Sequence, residues 1–287
     1  MQLHRFDNGK TFWERTSAFL NQHEAEHNLL LGIIHTLLHD PDRYPHAPYL
    51  ATVEVEAEIV AVALQTPPYK LVLSKVKDLA ALTLIAKDLA DSQASLPGVS
   101  GLIAEAKSFA QTWQELTGQT YELAMEMRIH HLTTVQPVAI AKGYLRLAAE
   151  SDRPLMLEWF QAFADEVIAS FGVDTEHLVD ITLRQQSLYI WQDSVPVSFT
   201  CKTQYSPSAA RIGPVYTPPE YRRKGYATAC VAALSQQLLD EGCDHCFIFT
   251  DLANPTSNHI YQEIGYRPIC DWLDYSFISN KDEESFD

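Results

Sequence analysis

Two hydrophobic periods alternate along this chain. In some stretches apolar residues stand three or four apart, and in others every second residue is apolar. The first period marks amphipathic helices and the second half-buried strands. A short strand at the start leads into a helical stretch over residues 12–38, expected to break near Asn28 or Gly32. Pro41, Pro45 and Pro48 punctuate the loop that follows. Alternating runs over 49–53 and 58–64 predict two strands joined by a tight acidic turn, and 69–73 predicts a third after Pro67-Pro68. A helix over 78–92, a strand over 99–104, a helix over 105–116 stopped by Gly118 and a long strand over 121–132 complete a first unit.

The second half runs through the same order. A strand over 145–149 precedes helices over 155–171 and 175–185, and strands over 188–191 and 195–203 follow. A strand over 211–217 then leads into a helix with Ala227, Val231, Leu234 and Leu238 on one face and Gly242 as its stop. An apolar strand over 246–250, a helix opening at Asn254-Pro255 and a long strand after Gly265 close the pattern. The halves end alike, with Glu115-Leu116-Thr117-Gly118 and Glu263-Ile264-Gly265 each standing before a long strand, so the chain reads as an internal repeat. At 287 residues, and about 150 per domain, two domains are expected. They cover 1–134 and 143–278, parted by the aperiodic connection holding Pro137, with 279–287 as an acidic tail. The fold class is α/β (α+β).

Between the strand over 211–217 and its helix stands Arg222-Arg223-Lys224-Gly225-Tyr226-Ala227-Thr228. Strand, short basic loop with glycine, then helix start is how a chain makes an anion site. Free backbone N–H groups and the positive helix end point to one place, and glycine lets a phosphate come close. The net charge is -16, so a basic cluster here points to an anion to bind. Just upstream, Gly213-Pro214 interrupts an apolar strand, and proline donates nothing to a ladder. Either this is an edge strand, or a bulge splays it from the strand over 246–250 and opens a slot in the sheet.

Arg222-Arg223-Lys224-Gly225-Tyr226-Ala227 resembles the R/Q-x-x-G-x-G/A pyrophosphate loop of the GNAT acetyltransferase superfamily. Downstream, after one further apolar strand, Asn254-Pro255-Thr256-Ser257-Asn258-His259-Ile260-Tyr261 runs on to Gly265-Tyr266. That stretch is similar to the family's N-x-x-A/S-x-x-x-Y-x-x-x-G-F/Y, and the resemblance covers roughly half the chain. It implies two tandem GNAT-like domains, each a twisted mixed sheet with a splayed central strand pair flanked by helices. It also implies that acetyl-CoA donates an acetyl group to a primary amine by direct transfer, without a metal. Its diphosphate is expected on Arg222, Arg223, Lys224, Gly225, Tyr226, Ala227 and Thr228. The pantetheine arm is expected along Val215, Tyr216 and Thr217, with Asn254, Ser257 and Asn258 contacting it. Tyr261 is the expected acid for the leaving thiolate, and residue spacing puts it on one helix face with Asn254 and Asn258, with Ile260 and Ile264 on another, the core face.

The first half has no such loop: after 69–73 it reads Ser74-Lys75-Val76-Lys77-Asp78 without glycine, and its last helix carries no matching Asn and Tyr. If GNAT-like, it is expected to be degenerate. No general base stands out. The strand over 211–217 has no carboxylate, which leaves Glu158, Asp165, Glu166 and Asp251 as candidates. A CoA-binding sensor or interaction module without turnover is the alternative. A more remote one is a zinc hydrolase, because His23-Glu24-Ala25-Glu26-His27 spells H-E-x-x-H.

Composition narrows the field further. With 46% apolar and 20% charged residues the chain is an ordinary globular one, and no apolar run approaches the ~20 residues of a membrane span. The excess acidity disfavours nucleic acid and suits a cationic amine. Five cysteines without regular spacing argue against a disulfide framework, and Cys243-Asp244-His245-Cys246 has no second pair to make a metal site. The opening Met1-Gln2-Leu3-His4-Arg5-Phe6-Asp7 does not read as a signal peptide, so a cytoplasmic location is expected. Oligomeric state leaves no signal.

Overall fold

The computed structural model describes residues 1–40, 43–92, 96–167 and 174–278. Pro41, the end of the helix expected over 155–171 and the acidic tail 279–287 lie outside the described residues. The first elements are β1 (Gln2–Arg5), α1 (Gly9–Leu20), α2 (Glu24–His39), β2 (Tyr49–Val55), β3 (Glu58–Gln65) and β4 (Leu71–Leu73). They are followed by α3 (Ala80–Asp91), β5 (Gly98–Leu102), α4 (Ile103–Thr117), β6 (Tyr121–Leu132) and β7 (Tyr144–Leu147). Then come α5 (Arg153–Val167), α6 (Thr175–Arg184), β8 (Leu188–Gln192), β9 (Pro196–Gln204) and β10 (Ala209–Tyr216). Last are α7 (Tyr226–Asp240), β11 (His245–Asp251), α8 (Pro255–Ile264) and β12 (Arg267–Phe277).

The chain forms two compact units. One holds residues 1–129, 251–253 and those described from 269 onward, and the other holds 130–250 and 254–268. This division differs from a single cut at 133–142. From Ile269 onward strand β12 belongs to the first unit, antiparallel to β5 from Trp272↔Leu102 to Ser276↔Gly98. Hydrophobic alternation is the same whichever sheet a strand joins, so sequence order alone assigned β12 to the later domain.

In the first unit β1, β2, β3 and β4 are successive antiparallel neighbours, and β4 runs parallel to β5. The β2–β3 turn closes on Glu56 and Ala57 at φ 50 and 68, the left-handed pair a two-residue hairpin needs. Leu82 and Ile85 of α3, with Phe109 and Trp113 of α4, bury against Leu71, Val99 and Leu273 of the strands. Inside this unit Lys70 pairs with Asp274 and donates to Ser276 Oγ at 2.9 Å. A Cβ at position 98 would collide with the Tyr275 carbonyl and the Lys70 stem, so glycine is required there. The helical stretch expected to break at Asn28 or Gly32 breaks earlier, at Asn21–His23. The apolar faces Phe12-Phe19-Leu20 and Leu30-Leu31-Ile34-Leu37 are separately phased, and the polar residues between them carry the joint. Asn28 stays helical, its Nδ2 donating to the Ala25 carbonyl at 2.6 Å.

In the second unit β7, β8, β9 and β10 are successive antiparallel neighbours, and β10 runs parallel to β11. Met156 and Phe160 of α5 and Val179 of α6 pack with Ile190, Phe199 and Tyr216. Val231, Leu234 and Leu238 of α7 join Tyr261 and Ile264 of α8 against Ala210, Ile212 and Ile248.

Candidate active site

Strands β10 and β11 are in register only from Ala209↔His245 to Ile212↔Ile248. Beyond Ile212 the pairing with β9 shifts register before resuming at Val215↔Thr200, so the strand bulges at Gly213-Pro214. From there Val215 and Tyr216 follow β9, and β11 runs on to Asp251 without further pairing to β10. Of the two sequence-based options, the bulge and slot form and the edge strand does not. Ser198 holds the strand past the bulge, donating to the Tyr216 carbonyl at 2.8 Å and sharing a hydrogen bond with Thr217 Oγ1 at 2.9 Å. No sequence pattern singled out Ser198, since its partners lie on the neighbouring strand.

At the end of this slot the chain enters α7 through Arg223 at φ 62 and Gly225 at φ 78. Gly225 is the N-cap, and no side chain caps the helix. Among the described residues nothing accepts a hydrogen bond from the main-chain N–H of Arg223, Lys224, Gly225, Tyr226, Ala227 or Thr228. These groups, with the positive end of α7, form an open donor array. The nearest atom to a Cβ built on Gly225 is the Ala141 Cβ, at 3.7 Å, so the approach is uncrowded.

The basic side chains are placed differently from expectation. Lys224 Nζ donates to the Glu220 carbonyl at 2.9 Å, and Arg222 pairs with Glu166. The Tyr226 hydroxyl donates to Asp193 at 3.0 Å. Only Arg223 is exposed without a side-chain partner among the described residues. The loop thus offers its main chain first and its formal charges second.

Helix α8 starts as its sequence requires. Asn254 caps it, Oδ1 accepting from Ser257 N–H at 3.1 Å, and Pro255 takes the first turn. Ser257 Oγ and Asn258 Nδ2 both return to the Asn254 carbonyl, at 3.1 and 2.8 Å. These three residues therefore form one capping knot. Tyr261 lies on the core face with Ile264, not on a polar face opposite it; it is 7% exposed. It shares a buried cluster with Ile212 and Ile248, the last pair before the strands part. Burial raises its pKa, and nearby Cys230 adds to the shift, so the phenol keeps its proton at neutral pH. Among the described residues its hydroxyl makes no hydrogen bond.

Three of the four carboxylates expected as base candidates are otherwise engaged. Asp165 accepts from Gln161, Asp251 from the Ala253 N–H, and Glu166 from Arg222 and Tyr216, while Glu158 is exposed.

The first unit shows what a closed version of this loop looks like. After β4, Ser74 N–H donates to the Val62 carbonyl and Lys77 N–H to the Val60 carbonyl. Lys75 N–H donates to His27 Nε2 at 3.0 Å, and Val76 N–H to the buried Glu105 carboxylate at 3.1 Å. The main-chain N–H groups of Ser74, Lys75, Val76 and Lys77 are thus all taken. His27 Nδ1 meets the Leu20 carbonyl at 2.9 Å, so both ring nitrogens are committed and the H-E-x-x-H string is not a zinc helix.

That arrangement has a consequence in acid. Burial pushes the His27 pKa down to about 4, against the opposing pull of the Leu20 carbonyl and Glu26. Between about 6.5 and 4 the unfolded chain binds a proton that the folded chain refuses, so stability falls as pH falls through that window. The loss approaches about 3 kcal/mol at its acid end. Urea unfolding at pH 7.5 and 4.5 should show a larger drop for the wild type than for His27→Gln. Equal drops would remove His27 from the acid response.

Comparison with known proteins fits this geometry. Residues 149–266 match the family described as Acetyltransferase (GNAT) family, so the second half carries a GNAT acetyltransferase domain. No curated protein sequence matches the chain. Among solved structures, a Drosophila protein aligns over 97% of this chain and 99% of its own, with TM-score 0.69 at 11% identity. A tandem GNAT protein from the clavulanic acid biosynthesis pathway aligns over 96% and 98%, with TM-score 0.59 at 12% identity. A GNAT-family acetyltransferase from Colwellia psychrerythraea aligns over 96% and 99%, with TM-score 0.56 at 13% identity. These likenesses show the fold, a tandem GNAT arrangement, as the sequence repeat implied.

Proposed function

We propose that the second unit binds acetyl-CoA and transfers its acetyl group directly to a primary amine, in the cytoplasm and without a metal. The observation that carries this is the row of unpaired main-chain N–H groups around Gly225 at the end of the slot between β10 and β11. Such a row suits a diphosphate. The parted strands leave main-chain groups of β10 and β11 for an amide-bearing arm. When bound, acetyl-CoA supplies a thioester carbonyl. A C–N bond to the acceptor forms, the C–S bond breaks, and the amine loses its surplus proton to water. Tyr261, protonated and without a hydrogen bond among the described residues, donates its proton to the departing sulfur and takes one back from water. The first unit is proposed as a degenerate GNAT-like domain, because His27 and Glu105 already satisfy the amides a nucleotide would need.

The engaged carboxylates also favour a second reading, a CoA-binding module that does not turn over. Calorimetry with CoA followed by thiol release from acetyl-CoA across a panel of primary amines separates the two. Heat of binding with amine-dependent thiol release is expected. Binding without release with any amine would favour the module, and no binding would remove both.

A further inference from the structure

Arg222 already holds an anion, and that anion belongs to the protein. Its Nη2 meets both Glu166 oxygens, at 2.8 and 2.7 Å, and its Nε donates to the Thr217 carbonyl at 2.8 Å. The Tyr216 hydroxyl donates to the same carboxylate at 3.3 Å, and the guanidinium lies over the Tyr216 ring, 5.7 Å from its centroid. Glu166 stands in the last turn of α5, and Arg222 stands three residues before Gly225. The guanidinium is therefore folded back onto the end of β10 beside the open amide row, and does not reach out over it. Both partners remain substantially exposed, at 43% and 42%, so a ligand in solution can contest the pair.

We propose that Glu166 is a stand-in anion that holds Arg222 until a donor bearing a diphosphate takes the guanidinium. Glu166 then sets donor affinity: a diphosphate-bearing donor gains from Arg222 only what exceeds the cost of freeing the guanidinium from Glu166. Glu166 is a positioning residue here, acting through Arg222, and the role holds only if the amide row binds a diphosphate as proposed above. An exposed ion pair of this kind is worth up to about a factor of five in an equilibrium constant. A dianionic diphosphate makes stronger, charge-assisted bonds to guanidinium than one carboxylate does.

The test is calorimetry with CoA on the full chain as wild type, Glu166→Gln, Arg222→Gln and the double variant. The pair is exposed, so all four should fold, which thermal melts would verify. Glu166→Gln should bind CoA roughly three- to fivefold tighter than wild type. In the Arg222→Gln background the same change should bring less than about a twofold gain, because no guanidinium remains to be released. Glu166→Gln binding no tighter than wild type would overturn the assignment and leave the amide row standing. An undiminished gain in the Arg222→Gln background would overturn it too, since Glu166 would then act by repelling the ligand directly. No heat with any of the four would remove the diphosphate site and this inference together.

Discussion

Tyr261→Phe is expected to lower kcat by roughly 100- to 1,000-fold while the Kd for CoA stays within about twofold of wild type. The ring sits in a closed cluster with Ile212, Ile248 and Ile264, and phenylalanine keeps every apolar contact it makes there. What is lost is one hydroxyl that no described residue uses. Removing it leaves no protein acceptor orphaned, so the fold should be indifferent to the change. A thiolate leaving into this buried end of the slot, by contrast, would have no acid beside it. Single-turnover rates with the best amine of the panel, read beside calorimetric Kd values, make the measurement. Undiminished turnover would remove Tyr261 from the chemistry, and a parallel loss of CoA affinity would make it a packing residue.

Most of the fold was legible because each element carried its own local signal. Gly118 at φ 74 and Gly265 at φ 114 do end α4 and α8, and Asn254-Pro255 does open α8. The bulge at Gly213-Pro214 was legible for the same reason, since a residue without an N–H must interrupt a ladder. Partnership between distant elements was not. Nothing local says that β12 pairs with β5, or that Lys70 meets Asp274 across 204 residues. The site divides along the same line. The amide row follows from loop chemistry, whereas the fates of Arg222, Lys224 and Tyr226 depend on Glu166, Glu220 and Asp193, which no spacing rule ties to them. The same limit misplaced Tyr261. Counting residues along α8 put it with Asn254 and Asn258, but the helix turns it inward beside Ile264.

Gly225→Glu should weaken CoA binding by at least about 1,000-fold, or ~4 kcal/mol, and leave the fold in place. The first unit already shows how such a loss arises. There the Glu105 carboxylate occupies the Val76 N–H, and a neighbouring amide is taken by His27. A glutamate at position 225 would bring the same group to the second unit's amides, at a helix start where a carboxylate is favoured. The side chain has room, because a Cβ there makes only ordinary contact with Ala141 at 3.7 Å. The left-handed φ of 78 adds about 1 kcal/mol of strain, too little to unfold a domain. Gly225→Ala separates the effects, since it carries the strain without the charge and should lose no more than about tenfold in affinity. If the glutamate variant melts like wild type and still binds CoA within tenfold of it, the diphosphate does not sit on these amides. If the alanine variant loses as much as the glutamate one, backbone conformation at Gly225 matters more than competition for its N–H groups.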